Sequence, residues 1–170
     1  MPLVSTAIMV LCYNGNMNRQ FKEEEKEPRF WERKTLEEMT PEEWDLLCDG
    51  CAKCCLCKLE DDKTGKVYYT DVACKFLDRQ TCRCISYETR NRSAANCAVL
   101  TPENVRKFHW LPETCAYRRL LHGKDLYKWH WLISGDRDLV HKLGFSVKGK
   151  TISEANIHPS DLPGHVVEWK

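Results

Sequence analysis

Apolar residues along the chain fall in short segments that glycine, proline and acidic residues interrupt, so the predicted elements are short. Thr40-Pro41-Glu42-Glu43 places a capping hydroxyl, a proline at the first helical position and a glutamate three residues after the cap. This motif predicts a helix from Pro41 toward Cys48, with Trp44 and Leu47 buried on one face. Asp49-Gly50 is expected to end the helix.

A β-hairpin is predicted after this helix. The acidic and polar run from Glu60 to Gly65 separates Leu59 from the strand-like residues 66–70. A polar turn between two apolar segments favours an antiparallel pair of strands.

The second half of the chain carries further helix and strand signals. In chain order they predict a helix start at Thr101-Pro102, helices over 114–122 and 136–143 that end at Gly123 and Gly144, and short strands over 145–148 and 166–169. No internal repeat is visible. The pattern therefore predicts an α+β fold: a small, loop-rich single domain of short helices and a β-hairpin.

The N-terminal part lacks these signals. Residues 19–26 are charged and have no apolar periodicity, which predicts a flexible segment over 1–28 and a folded domain over 29–170. A translation start at Met17 is an alternative interpretation. The apolar run 7–12 follows no Lys or Arg and is too short to cross a bilayer, so a cytoplasmic location is expected.

The charge balance gives no sign of a polyanionic partner. Lys and Arg number 26 against 25 Asp and Glu, a formal net charge of +1. We therefore expect neither a nucleic acid nor a membrane surface as partner.

Cysteine is the residue type that changes this picture. The chain has eleven cysteines, a density that indicates metal ligation or redox chemistry in a reducing compartment. Cys48, Cys51 and Cys54 recur at every third residue, and Cys55 follows directly. This C-x2-C-x2-C-C spacing is typical of iron–sulfur and zinc sites, because two intervening residues let neighbouring sulfurs reach one centre.

Other cysteines extend the candidate set. Cys82 and Cys84 share a face if their segment is extended, and more distant loops supply the rest. The predicted metal ligands are Cys48, Cys51, Cys54, Cys55, Cys74, Cys82, Cys84, Cys97 and Cys115, with Cys57 as a weaker candidate. A zinc ion or a cubane cluster takes four protein ligands, which leaves open whether the chain has one site or two.

The chemistry of these ligands limits which metals the site can be expected to bind. All six histidines lie beyond Cys97, so the densest stretch binds through sulfur alone. All-thiolate sets favour zinc, iron–sulfur clusters or cuprous copper over magnesium or calcium. Residues 53–92 hold nine Lys or Arg against six Asp or Glu, an excess of three positive charges that can offset bound thiolates.

Several stretches together resemble the bacterial CxxCxxCC family, described as zinc- or iron-chelating, and within it the YcgN-type cysteine-cluster proteins. The similar stretches are 47–55, 74–77, 84–90, Cys97, 110–118 and 129–135. The resemblance covers roughly residues 30–150 and implies a cofactor of zinc or iron. The wider family includes the flagellin lysine methylase, and through this relative the resemblance also implies an iron–sulfur cluster, such as 4Fe-4S, as a cofactor. Cys57 stands where related proteins have histidine.

Four alternatives stay open. A disulfide framework fits poorly with the odd cysteine count and the adjacent pair Cys54-Cys55. The metal has either a structural role, in place of part of an apolar core, or a role in a redox or group-transfer enzyme. A nucleophilic Cys115, with His109 or His122 as its base, is the last alternative.

Overall fold

A computed structural model of the chain describes residues 28–93 and 97–170, so the predicted flexible segment 1–28 lies almost wholly outside the described residues. Within them the helices are α1 Phe30–Arg33, α2 Pro41–Leu46, α3 Arg90–Ser93, α4 Ala116–Leu121, α5 Trp131–Ser134 and α6 Leu139–Lys142. The strands are β1 Leu56–Glu60, β2 Val67–Ala73, β3 Leu77–Asp78, β4 Arg83–Cys84 and β5 Ile152–Ser153. The predicted α+β class with short elements is confirmed.

The predicted hairpin is formed by β1 and β2, which pair antiparallel. Its turn is held by Asp61, whose Oδ1 accepts hydrogen bonds from the backbone N–H groups of Lys63 (3.0 Å) and Thr64 (2.8 Å). The pairing register shifts between Leu56 and Lys58, so Cys57 lies in a β-bulge. Strand β5 adds to β2 in parallel, and β3 and β4 form a separate two-stranded sheet.

Helix α2 starts where the capping motif predicts. The Glu43 N–H donates to Thr40 Oγ1 at 3.2 Å, and the Thr40 N–H donates back to Glu43 Oε2 at 2.9 Å. Trp44 and Leu47 are buried, as predicted. The helix ends at Leu46, slightly before the predicted end.

Side chains from the second half of the chain donate hydrogen bonds to carbonyls at the C-terminal end of α2, where a helix supplies few N–H partners of its own. The donors are Tyr117 Oη to the Trp44 carbonyl (3.0 Å), Trp131 Nε1 to that of Leu46 (3.0 Å) and His130 Nε2 to that of Leu47 (3.1 Å). Helix α2 is thus tied to α4 and to the start of α5. These contacts fix the position of Leu47, the residue that precedes Cys48.

Several predicted elements in the second half need correction. Residues 145–148 do not form a strand, because the buried Val147 donates its N–H to the Cys51 carbonyl (3.0 Å) and packs under the cysteine loop instead. After Thr101-Pro102 only the 3-10 turn Val105–Lys107 forms. The predicted strand 166–169 is reduced to one bridge between Val166 and Thr70. The predicted helices near 114–122 and 136–143 form as the shorter α4 and α6.

The core consists of two apolar clusters. The first joins α1, α2 and α4 and contains Leu47, and the second joins β1, β2 and β3 and contains Ala52. Residues 48–51 connect them, so the first two cysteines of the motif lie on the path between the clusters. No helix among the described residues is long and apolar enough to cross a membrane.

Candidate metal centre

The C-x2-C-x2-C-C motif forms a tight loop between α2 and β1. Asp49 Oδ1 accepts the Cys51 N–H at 2.9 Å and closes the first turn. Ala52 has a φ of 60°, a left-handed conformation that turns the chain into the 3-10 segment Lys53–Cys55. The loop therefore folds back on itself, as the spacing of its cysteines predicts.

One cavity of about 150 Å³ lies against this loop. Seven predicted ligands line it: Cys48, Cys51, Cys54, Cys55, Cys82, Cys84 and Cys115. They come from the loop, from the turn into β4 and from β4 itself, and from the residue that precedes α4. Sulfur atoms far apart along the chain thus share one space.

The remaining candidates lie beside this cavity. The Cys74 N–H donates to the Cys55 carbonyl at 2.8 Å. Burial raises the pKa of Cys97, the charges of Cys84, Cys74 and Cys54 raise it further, and Arg90 opposes the shift. Cys57 points elsewhere, with its Sγ 3.7 Å from Glu154 Oε2. All ten described cysteines are free thiols.

Burial and negative charge raise the pKa of most of these thiols. Crowding by protein atoms raises the pKa of Cys115 to about 12 and raises those of Cys48 and Cys51, and the Asp49 carboxylate adds to all three shifts. Asp49 Oδ2 is itself buried without a hydrogen-bond partner among the described residues. A bound cation would pair with this negative charge, so the donor set fits a soft metal.

Cys54 and Cys55 form a contact of their own, with their Sγ atoms 3.9 Å apart. The hydrogen bond from the Cys55 thiol lowers the pKa of Cys54 to about 7 and raises that of Cys55. Lys58 lies close by, with its Nζ 3.0 Å from the Cys54 carbonyl and 4.3 Å from the centre of the Trp110 ring. Its ammonium group favours the Cys54 thiolate.

Asp49 and Lys58 are two charged residues near the thiols that the sequence analysis did not single out. Asp49 could have been found from its position inside the cysteine motif. Lys58 carries no local signal, because its place beside Trp110 depends on the hairpin packing against a distant segment.

The thiols share the cavity without forming a closed ligand set. Within residues 28–93 and 97–170, no three His, Cys, Asp or Glu side chains are gathered as tightly as the ligands of one ion. The structure also gives no support to a nucleophilic Cys115. His109 faces Glu60, with Nε2 3.3 Å from Oε1, and His122 lies at the far end of α4.

Residues 47–116 match a family model described as "CxxCxxCC: Putative zinc- or iron-chelating domain". A UPF0260 protein of Cellvibrio japonicus is 55% identical over 140 residues, which cover 82% of this chain and 95% of the relative. The chain belongs to the UPF0260 family. This confirms the resemblance to the CxxCxxCC proteins drawn from the sequence.

Other UPF0260 proteins are similarly close to this one. Those of Marinobacter nauticus and Rhizobium etli are 50% and 53% identical, each over 82% of this chain and over 95% and 89% of the relatives. No solved structure matches the chain.

Proposed function

We propose that this UPF0260 protein binds zinc or iron, the latter as an ion or a 4Fe-4S cluster, through its clustered cysteine thiolates in the cytoplasm. The proposed ligands are drawn from Cys48, Cys51, Cys54, Cys55, Cys74, Cys82, Cys84, Cys97 and Cys115. The observation that carries the proposal is the cavity lined by seven of these cysteines. Free thiols also agree with a reducing compartment.

The raised pKa values of the thiols support the proposal that these cysteines bind a metal ion. In the metal-free protein, burial holds Cys48, Cys51 and Cys115 in the protonated form. Cys48, Cys51 and Cys115 would hold a soft cation as thiolates, with their protons released to solvent, and the cation would balance the unpaired oxygen of Asp49. Because residues 48–51 connect the two apolar clusters, a metal held there would cross-link them.

Metal analysis after anaerobic purification tests this proposal. A brown protein with iron and acid-labile sulfide indicates a cluster, and a colourless protein with stoichiometric zinc indicates zinc ions. Cys51→Ser and Cys54→Ser should lower both the metal content and the melting temperature, because metal binding contributes to folding. Cys12→Ser is the matched control, since it removes a thiol outside the matched region. Wild-type metal content in both loop variants would refute the proposal.

A second candidate is a redox or group-transfer enzyme that uses the metal or cluster. Apolar side chains beside the thiols favour it, because Trp44, Leu100 and Tyr117 line the same cavity and provide a surface for a substrate. Azide added to the Co²⁺-substituted protein tests for an open coordination position. A shift of the visible bands supports the enzyme, and unchanged bands indicate closed sulfur shells and a structural role.

A further inference from the structure

A second cavity, of about 350 Å³, adjoins the cysteine cavity, and both are lined by Asp49, Gly50 and Arg83. Its volume lies in the range of roughly 300–1,000 Å³ that is usual for small-molecule sites. The other charged or titratable side chains that line it are Arg137, Asp138, His141 and Lys148. We propose that this cavity, which we term the basic cleft, binds a small molecule that carries a phosphate ester beside hydroxyl groups, as a sugar phosphate does.

Three cationic side chains reach the basic cleft from separate parts of the chain. Arg83 lies in β4, Arg137 precedes α6, and Lys148 lies in the turn that follows Val147. Within residues 28–93 and 97–170, none of the three forms a salt bridge. Cations that line one cavity without ion-pair partners repel one another, so an anion that enters the cleft is attracted by all three.

A phosphate ester matches these cations better than a single carboxylate does. At pH 7 it carries a charge of about −1.5 to −2 and has three strong acceptor oxygens. Arg83 and Arg137 each present a planar fork of N–H donors that can bind two phosphate oxygens, and Lys148 adds a point charge.

Contacts outside the cleft hold two of the cations in position. The Arg137 guanidinium carbon lies over the Trp131 ring, 3.5 Å from its centre. The residues on either side of Lys148 donate backbone hydrogen bonds of 3.0 and 2.9 Å to the carbonyls of Cys51 and Arg79. The guanidinium of Arg137 and the backbone of Lys148 are therefore fixed before a ligand binds, which lowers the entropic cost of binding.

His141 supplies a further donor to the basic cleft. Its Nδ1 lies 2.7 Å from Oγ of Ser146, a side chain that is 1% exposed, so a buried hydroxyl fixes the orientation of the ring. When this hydroxyl donates to Nδ1, the ring proton is on Nε2, where it can donate to a phosphate oxygen.

The two carboxylates of the lining have different surroundings. Asp49 Oδ1 accepts the Cys51 N–H at 2.9 Å and Oδ2 is buried, so this carboxylate belongs to the cysteine loop. Asp138 is exposed. Its carboxylate repels a phosphate but accepts hydrogen bonds from hydroxyl groups. This contrast is the reason for expecting hydroxyl groups next to the phosphate of the ligand.

Calorimetric titration of the whole chain with ribose 5-phosphate tests the proposal. We expect one saturable site, weaker binding of inorganic phosphate, and no heat of binding with ribose. Arg137→Gln combined with Lys148→Gln should weaken the binding of ribose 5-phosphate by about tenfold or more, because charge-assisted hydrogen bonds to the phosphate are lost. Lys63→Gln combined with Lys128→Gln is the matched control, since it removes the same charge at exposed positions outside the cleft. The control should bind like the wild type.

Absence of binding by the wild type, wild-type affinity of the cleft variant, or an equal loss in the control overturns the proposal. Equal affinity for inorganic phosphate overturns the role of Asp138, and tighter binding of succinate overturns the choice of phosphate. Because Arg137→Gln also loses the Trp131 contact, Lys148→Gln alone is the second variant, and it should weaken binding several-fold. No cysteine is changed, so the metal content of the same samples tests the proposed metal binding separately.

Discussion

His130 lies in the middle of the sequence Trp129-His130-Trp131, and its imidazole is 2% exposed. Its Nε2 donates to the Leu47 carbonyl at 3.1 Å, and its Nδ1 accepts the Leu132 N–H at 3.2 Å. These two bonds require the neutral ring with the proton on Nε2. Replacing the ring by the similarly shaped side chain in His130→Phe removes both bonds, and with them the donor to Leu47, the residue before Cys48.

The expected cost follows from the groups left behind. A buried Leu47 carbonyl without its donor costs about 1–3 kcal/mol. Loss of the side-chain cap on α5 adds about 1 kcal/mol. We therefore expect His130→Phe to lower the free energy of unfolding by about 2–4 kcal/mol at pH 8.

The same residue predicts a pH dependence. Burial lowers the pKa of His130 below its usual value, and the charge of Arg137 lowers it further. The hydrogen bond to Leu47 and the charge of Asp49 raise it, but their effects are smaller than that of burial. Below about pH 6.5 the unfolded chain binds a proton at this histidine, whereas the folded chain does not. The free energy of unfolding therefore falls by up to about 1.4 kcal/mol per pH unit, until the pH reaches the pKa of His130 in the folded protein. The phenylalanine variant lacks this loss, so its disadvantage should shrink as the pH falls.

Urea unfolding of both metal-loaded proteins between pH 8 and pH 5, followed by tryptophan fluorescence, measures this difference. Acid also weakens thiolate–metal bonds, but that effect is common to both proteins and cancels in the comparison. Equal stability at pH 8 would refute the role of the two hydrogen bonds. A constant or growing difference on acidification would refute the neutral, buried state of His130.

Three further changes have expected outcomes that urea unfolding and metal analysis can check. Thr40→Ala removes the cap of α2 and should cost about 1 kcal/mol; an unchanged midpoint would contradict the capping argument. Tyr117→Phe removes the donor to the Trp44 carbonyl, so we expect a loss of about 1 kcal/mol with full metal content, and a loss of metal would instead make Tyr117 part of the site. Ala52→Val places a branched side chain at a φ of 60° in the cysteine loop and should cost about 1–3 kcal/mol; a neutral effect would show that the loop adopts another conformation.

Local signals predicted the elements that local contacts stabilise. The Thr40 to Glu43 motif is a set of hydrogen bonds within four residues, and α2 begins where it predicts. The hairpin turn is likewise held by Asp61 and its near neighbours. The strand predicted at 145–148 was wrong because the N–H of Val147 binds the distant Cys51 carbonyl, a partner that no local pattern indicates.

The sequence by itself determined that the chain is cysteine-rich, that its cysteines suit a soft metal, and that the motif at 48–55 forms a tight loop, because ligand chemistry and turn geometry are properties of neighbouring residues. Only the tertiary structure decided which distant thiols accompany that loop. Cys115 reaches the cavity through α4, and Cys74 and Cys84 reach Cys55 through the pairing of strands. Which distant thiols meet depends on packing between separate elements, so the spacing of cysteines along the chain does not predict it.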